Sequence, residues 1–168
     1  MRYLTWALLL AILTAAAVPV AAAEGKVAVM DLDMIITESE AGKVAAAQLE
    51  ALIQEKQALV DTRAEAILEL QGELEAASAQ GREDASKQEE LQRLVAEYQQ
   101  LVEDSEAEIQ ARAAEMRNQL LSEIGEVVRR IGIRDNYALI LDVSLVHFYT
   151  QAIDITWDVI REYNSLKQ

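Results

Sequence analysis

The sequence predicts an α+β protein in which a long antiparallel helical hairpin, a coiled-coil arm, stands on a small β-sheet oligomerisation body. Three observations predict this fold. Residues 44–131 are dominated by Ala, Leu, Glu, Gln and Arg at helical spacing. A single polar break, residues 78–84, interrupts that stretch near its middle. Short segments rich in β-branched and aromatic residues, 26–33 and 137–149, flank it on both sides.

The first 23 residues have the pattern of a secretory signal peptide. Arg2 precedes an apolar run over residues 7–17, and three alanines at 21–23 form a small-residue cleavage signal. We therefore expect cleavage before Glu24. A retained membrane anchor is the alternative, because the apolar run is long. After cleavage no stable membrane insertion is expected, because no later segment is apolar enough to span a bilayer.

Charge and cysteine content limit the compartment and the partners. The chain has 15 basic and 29 acidic residues, a net charge of −14, and no cysteine. Such an acidic chain is repelled by nucleic acid, so no nucleic-acid partner is expected. An exported domain without disulfides must be stabilised by packing or by oligomerisation. The periplasm of a diderm bacterium is the expected compartment.

The first element after the signal is a short strand that is apolar on both faces. Val27 and Val29 share one face of it, and Ala28 and Met30 share the other. The next segment offers Thr37 or Ser39 as the N-cap of the first arm helix.

The arm is predicted from a seven-residue apolar period, which is typical of a left-handed coiled coil. The first helix is expected over residues 41–79 and the second over 84–131, with Gly81 at the turn and Gly132 as the final cap. Lys56 and Arg63 lie next to the seam, so we expect its apolar packing to be loose. The predicted seam consists of Ile53, Val60, Ile67, Leu74, Val95, Tyr98, Val102 and Ile109.

The C-terminal segment is predicted to be strand, turn, strand and helix. Alternation predicts one strand over residues 137–143 and another over 145–149, with Asp142 and Ser144 at the turn. Asp154 or Thr156 should open a helix that runs through Asn164. Together with the first strand these segments would form a three-stranded sheet.

A sheet that is apolar on both faces must be covered by other residues on each face, and one chain has too few residues to cover both. We therefore expect copies to share the sheet. The predicted boundaries are 1–23 for the signal peptide, 24–45 and 120–168 for the body with its C-terminal helix, and 46–119 for the arm with its tip near 78–84. Trp157 and Tyr163 should pack on the sheet. The predicted body residues are Val27, Val29, Leu139, Ile140, Leu141, Val143 and Val146.

Residues that could carry chemistry are few, and no enzymatic role is predicted. The one histidine, His147, has no second histidine or cysteine to share a metal. Asp31 and Asp33 could bind a divalent ion, but they more often serve as turn and capping residues. The acidic cluster at 103–108 lacks a calcium-binding loop. No catalytic residue, cofactor or metal site is therefore expected.

The order of parts resembles the Skp (OmpH-like) family of periplasmic chaperones. Two segments carry the resemblance most specifically. They are KVAVMDLDMIITESEAGK, which includes Glu38, Ser39 and Gly42-Lys43, and AIDIT at 152–156. The resemblance covers the chain after the signal, including YALILDVSLVHFY. It implies a homotrimer whose β body joins three helical hairpins around a cavity. It also implies an ATP-independent holdase that binds unfolded outer-membrane β-barrel proteins.

One departure from the family pattern concerns charge. The best-known members are basic, whereas residues 44–120 of this chain carry 7 basic and 17 acidic residues. Contact with lipopolysaccharide or lipid headgroups is thereby put in doubt. The alternative function is a periplasmic coiled-coil structural spacer or adaptor, and a metal-dependent enzyme is a distant third. The sequence does not identify the residues that contact a client protein.

Overall fold

A computed structural model describes residues 25–167, so the predicted signal peptide lies outside the described residues. Short 3-10 turns occupy Val143–Leu145 and Gln151–Ile153. The main elements in chain order are β1 (Lys26–Met30), α1 (Leu32–Glu38), α2 (Glu40–Ala79), α3 (Ala85–Arg134), β2 (Tyr137–Asp142) and α4 (Thr156–Ser165). The predicted fold class is confirmed, since two long helices stand on a small sheet.

The arm consists of α2 and α3, with 40 and 50 residues respectively. At a rise of about 1.5 Å per residue, α2 is roughly 60 Å long. The turn between the helices leaves room only for an antiparallel return. Gly81 has a φ of 70° there, as the sequence predicts for a residue without a Cβ. Asp84 caps α3 by accepting a hydrogen bond from the Lys87 backbone N–H at 3.1 Å.

The end of α3 lies beyond the predicted position. The helix continues through Gly132 to Arg134, and Asp135 closes it by donating its N–H to the Ile131 carbonyl at 2.9 Å. The left-handed residue that reverses the chain is Asn136, with a φ of 58°. The prediction of a cap at Gly132 was wrong, because asparagine also tolerates this backbone conformation and serves here instead.

The sheet contains two parallel strands, β1 and β2. Their register pairs Val27 with Leu139 and Val29 with Leu141, after an irregularity beside Lys26. Parallel strands require a crossover connection, and here the whole arm is that connection. The hairpin therefore returns the chain to the sheet it left.

The predicted third strand, residues 145–149, was wrong. The carboxylate of Asp142 accepts the N–H of Ser144 at 2.8 Å and starts a 3-10 turn at the point where the strand would have continued. A later segment joins the sheet instead, because the Ile155 N–H donates to the Val29 carbonyl at 2.9 Å. Val143 consequently lies in the turn and Val146 in the following loop, and both are half-buried.

The junction between β1 and the arm contains a short helix that the sequence did not reveal. Asp31 caps α1 by accepting the Met34 N–H at 2.8 Å. Ser39 then caps α2 by accepting the Gly42 N–H at 3.1 Å, so one of the two predicted caps is confirmed. The capping hydroxyl is buried, which makes this bend part of the core boundary.

The core lies where the base of the arm meets α4 and one face of the sheet. Apolar residues three or four apart on α3 supply its largest share. Tyr163 packs there as predicted, but the prediction for Trp157 was wrong, since its side chain is 52% exposed. The buried cluster comprises Ala28, Ile35, Leu120, Ile124, Val127, Ile131, Ile155, Val159, Ile160 and Tyr163.

The bend at Ser39 gives a stability prediction. A Cβ at Gly42 would lie 1.6 Å from the Ile36 carbonyl oxygen, so Gly42→Ala must displace α1 from α2. We expect a loss of about 1–3 kcal/mol in the free energy of unfolding, measured by urea denaturation at fixed protein concentration.

The control is Gly72→Ala in the same helix, where an added Cβ meets nothing within 4 Å. That change should stabilise the protein by roughly 0.5–1 kcal/mol through helix propensity. Equal effects of the two substitutions would contradict the packing of α1 against α2.

Candidate functional site

The first candidate surface is the face of the sheet that points away from the helices, called here the open sheet face. It consists of Val27, Val29, Leu139 and Leu141, which alternate with residues that point to the core. Val27 and Leu139 are paired and remain 47% and 48% exposed. Val29 is buried beside the Asp154 bridge, and Leu141 is half-buried. Ile140 points the other way and packs against the core.

Other large apolar side chains of the body segments are also exposed in a single chain. Phe148 is 82% exposed and Leu145 is 72% exposed, both in the segment that follows β2. Ile133 and Trp157 are exposed as well. Contiguous exposed apolar side chains mark interaction surfaces in soluble proteins, and the neighbours Val27 and Leu139 are contiguous in this sense.

The arm is held partly by ion pairs between its two helices. Lys56 and Glu108 lie 2.6 Å apart, and Arg63 and Glu97 lie 3.4 Å apart. The Lys56 ammonium donates a hydrogen bond to the Glu108 carboxylate, and this raises the pKa of Lys56. The two basic residues that interrupt the apolar seam thus contact the returning helix of the same chain.

The seam itself is shallow. Ile53 is 39% exposed. The remaining predicted seam residues are half-buried: Val60, Ile67, Leu74, Val95, Tyr98, Val102 and Ile109. Deeper burial occurs at Leu70, whose i,i+3 spacing from Ile67 could have revealed it, and at Ser105. The Ser105 hydroxyl can be buried because it donates to the Leu101 carbonyl at 2.6 Å.

The second candidate surface is a pair of grooves at the base of the arm. One, of about 320 Å³, lies where α1, α2 and α3 meet and is called here the arm-base groove. The other, of about 350 Å³, extends towards Lys167, and both are lined by Ala45, Met116 and Leu120. Alanines leave this space because they are too short to fill it. The two charged lining residues of the arm-base groove are Asp33 and Arg117. The apolar part of its lining comes from Ile36, Ala46, Leu49, Ala113, Met116 and Leu120.

A polar cluster ties α4 to the base of the arm. The Tyr163 hydroxyl donates to the Glu123 carboxylate, and the Lys167 ammonium lies 2.8 Å from the same carboxylate. Burial alone would raise the pKa of Glu123, but hydrogen bonds from Lys167, Tyr163 and Gln119 lower it overall. Burial and the Glu123 contact raise the pKa of Tyr163. No pattern in the sequence indicated this cluster.

Of the two carboxylates considered for an ion site, Asp31 serves as a cap, whereas Asp33 lies in the first turn of α1 and lines the arm-base groove. Asp31 caps α1, and Asp142 accepts hydrogen bonds from Ser144 and from the Leu32 N–H, which lower its pKa. His147, predicted to lie in a strand, is exposed in a loop. Within residues 25–167 no three His, Asp or Glu side chains group as metal ligands. None of the helices in this range has both the length and the apolar content needed to cross a bilayer.

Comparisons with known proteins point to one family. The family model for outer membrane proteins (OmpH-like) matches residues 26–163. Among solved structures, the fold is similar to that of a protein described as a candidate outer membrane chaperone (OmpH-like) from Caulobacter crescentus CB15. That similarity has a TM-score of 0.64 at 17% identity and covers 84% of this chain and 85% of the other. No curated protein matches the sequence.

The Glu123 cluster predicts a pH dependence of stability. A carboxyl group whose pKa is lowered in the folded state stabilises above its unfolded pKa, and that contribution is lost as the pH falls through the folded value. Glu123→Gln should therefore be less stable than the wild type near pH 7, and the difference should shrink by about pH 3.

Unfolding in urea at a series of pH values measures this difference. Glu126→Gln is the control, because Glu126 is 65% exposed and pairs only with Arg129 among the described residues. A stability difference for Glu123→Gln that does not change with pH would contradict the stabilising role of the charged Glu123 carboxylate.

Proposed function

We propose that this chain, which belongs to the outer membrane protein (OmpH-like) family, is an ATP-independent chaperone that holds unfolded outer-membrane β-barrel proteins. It would prevent their aggregation without catalysis and without a cofactor. The description of the Caulobacter protein as a candidate chaperone supports this role. We place the chaperone in the periplasm, in agreement with the signal peptide predicted from residues 1–23.

The observation that carries the proposal is the shape and packing of the arm. Two helices, one of them roughly 60 Å long, extend away from the body. The apolar seam between the two helices is shallow. Beyond its base the arm fills no core, so most of its surface faces outward. Shallow, adaptable surfaces suit partners that have no fixed shape.

The open sheet face supports assembly of several copies. Val27 and Leu139 would be buried against neighbouring chains, and one copy alone leaves them in water. We propose a homotrimer in which residues 24–45 and 120–168 form the shared body. Three arms, residues 46–119, would then project from one platform and enclose a cavity for the client.

A structural spacer or adaptor is the second candidate function. The cross-helix ion pairs Lys56–Glu108 and Arg63–Glu97 favour it, because they fix the register of the two helices. A spacer would use the arm for its length and would not bind unfolded proteins. The two candidates therefore differ in what happens when an unfolded membrane protein is added.

Shortening the arm separates its role from that of the body. We would delete three heptads from each helix, residues 57–77 and 85–105, which keeps the turn at 78–84 and the coiled-coil register. The Lys56–Glu108 pair survives at the new tip. We expect an oligomer of unchanged subunit number and at least about a tenfold loss in holding of a urea-unfolded β-barrel protein, because the cavity wall is cut down.

Light scattering measures subunit number and aggregation of the client in the same sample. The full-length protein is the reference. Holding that is absent in both forms would favour the spacer, and undiminished holding by the shortened form would show that clients do not bind the arm.

Assembly is tested by Leu139→Asp. Leu139 is 48% exposed in a single chain, so the substitution should leave the chain folded while placing an unpaired charge at the contact between copies. We expect a smaller molar mass at micromolar concentration, measured by light scattering, with the helical circular dichroism retained.

Leu68→Asp is the matched control, because Leu68 is 66% exposed on the arm. It should keep the mass of the wild type. An unchanged oligomer in Leu139→Asp would mean that the open sheet face does not join the copies.

A further inference from the structure

The arm-base groove has an apolar floor that remains open in the folded chain. Met116 and Leu120 form its floor, and Ala46 and Leu49 line it on α2. Methionine is unbranched and polarisable, so it adapts to apolar groups of different shape. A volume of about 320 Å³ is at the small end of ligand pockets, which suits one or two side chains of an extended segment.

The surroundings of the groove carry a strong excess of negative charge. Residues 33–55 and 103–123, which include its α2 and α3 walls, contain 11 acidic and 3 basic residues. Two of the three bases are already neutralised, Lys43 by Glu38 and Arg112 by Glu115. Two further carboxylates pair with lysines from outside these segments, Glu108 with Lys56 and Glu123 with Lys167.

The remaining charges define what the groove can accept. Among residues 25–167, seven carboxylates of these two segments are in no ion pair, against the single guanidinium of Arg117. Asp33 and Arg117 line the groove itself and balance each other in charge, so the negative excess comes from the six unpaired carboxylates outside the lining. An approaching segment that carries carboxylates would meet like charge, which costs affinity. A segment that carries lysine or arginine beside an apolar side chain could place the apolar group in the groove and its cations near the unpaired carboxylates outside the lining.

We propose that the arm-base groove docks segments of unfolded protein in which an apolar or aromatic side chain is flanked by basic residues. This rests on the proposed holding function and names the part of a client that binds first. The apolar side chain enters between α1, α2 and α3, while the flanking cations face the carboxylates of α2 and α3. Clients rich in acidic segments would be held less well.

Two labelled peptides test the charge preference. Both contain a central Phe-Leu-Phe, one with two lysines on each side and the other with two glutamates, and binding to the whole protein is followed by fluorescence anisotropy. We expect the lysine peptide to bind roughly tenfold more tightly at about 0.02 M salt, and the difference to shrink at about 0.5 M salt through screening. Equal affinities at low salt would overturn the proposal.

Substitutions test the position of the site. Ala46→Gln fills the groove with a polar group, and Ala58→Gln makes the same exchange at an exposed position of α2 outside the groove. Ala46→Gln should weaken both peptides by about fivefold, a moderate loss for one blocked contact, and Ala58→Gln should weaken neither. Equal effects of the two substitutions would show that the peptides do not bind in the arm-base groove.

The charge contribution is tested separately by combining Glu55→Gln with Glu106→Gln, both exposed and outside the groove lining. The pair should reduce the preference for the lysine peptide and leave the wild-type fold intact. An unchanged preference would overturn the role of the surrounding carboxylates.

The holding assay with an unfolded β-barrel protein is run in parallel. Holding without peptide discrimination overturns this inference alone, whereas absent holding overturns the proposed function.

Discussion

The parallel pairing of β1 with β2 is the constraint on which the rest of the structure depends. Residues separated by 110 positions are brought into hydrogen-bond contact, as between the Leu32 N–H and the Asp142 carboxylate. A flexible loop of that length would oppose the pairing by its entropy. Here the connection is two helices that run out and back, so their ends are held close together. The sheet needs the hairpin, and the base of the hairpin packs against α1, α4 and one face of the sheet.

That arrangement leaves the body small and covered on one side. The base of α3 and the whole of α4 cover the face that contains Ala28 and Ile140, and Tyr163 fixes α4 through Glu123. On the other face, Val27 and Leu139 remain about half exposed in the single chain. Burial of Val27 and Leu139 against another molecule would remove apolar area from water, and this gain would have to exceed the entropic cost of association.

Three polar side chains of the body cap its helices and turns. Asp31, Ser39 and Asp142 each accept a backbone N–H at the start of a helix or turn. The charges of the arm have a different effect. They are mostly exposed, they are predominantly negative, and their cross-helix pairs hold the arm where its apolar seam is shallow. A surface of this kind selects partners by charge as well as by apolar contact.

The sequence by itself determined the helical hairpin and the turn at Gly81, and it limited the cap of the first arm helix to Thr37 or Ser39, because each is encoded by residues near to one another. Helical period, a glycine with positive φ and a capping hydroxyl all act within a few positions. The sequence also showed that both faces of β1 are apolar, but not which face the helices would cover. The predicted roles of Val27 and Val29 in assembly remain predictions.

Only the tertiary structure decided which segments entered the sheet and where the grooves lie. The segment 145–149 alternates like a strand, yet Asp142 turns the chain and Ile155 takes the place beside Val29. Lys56 interrupts the seam in sequence but meets Glu108 across it. The arm-base groove depends on small residues of α2 facing Met116 of α3. These outcomes depend on partners distant along the chain, and local patterns carry no information about which partner a residue will meet.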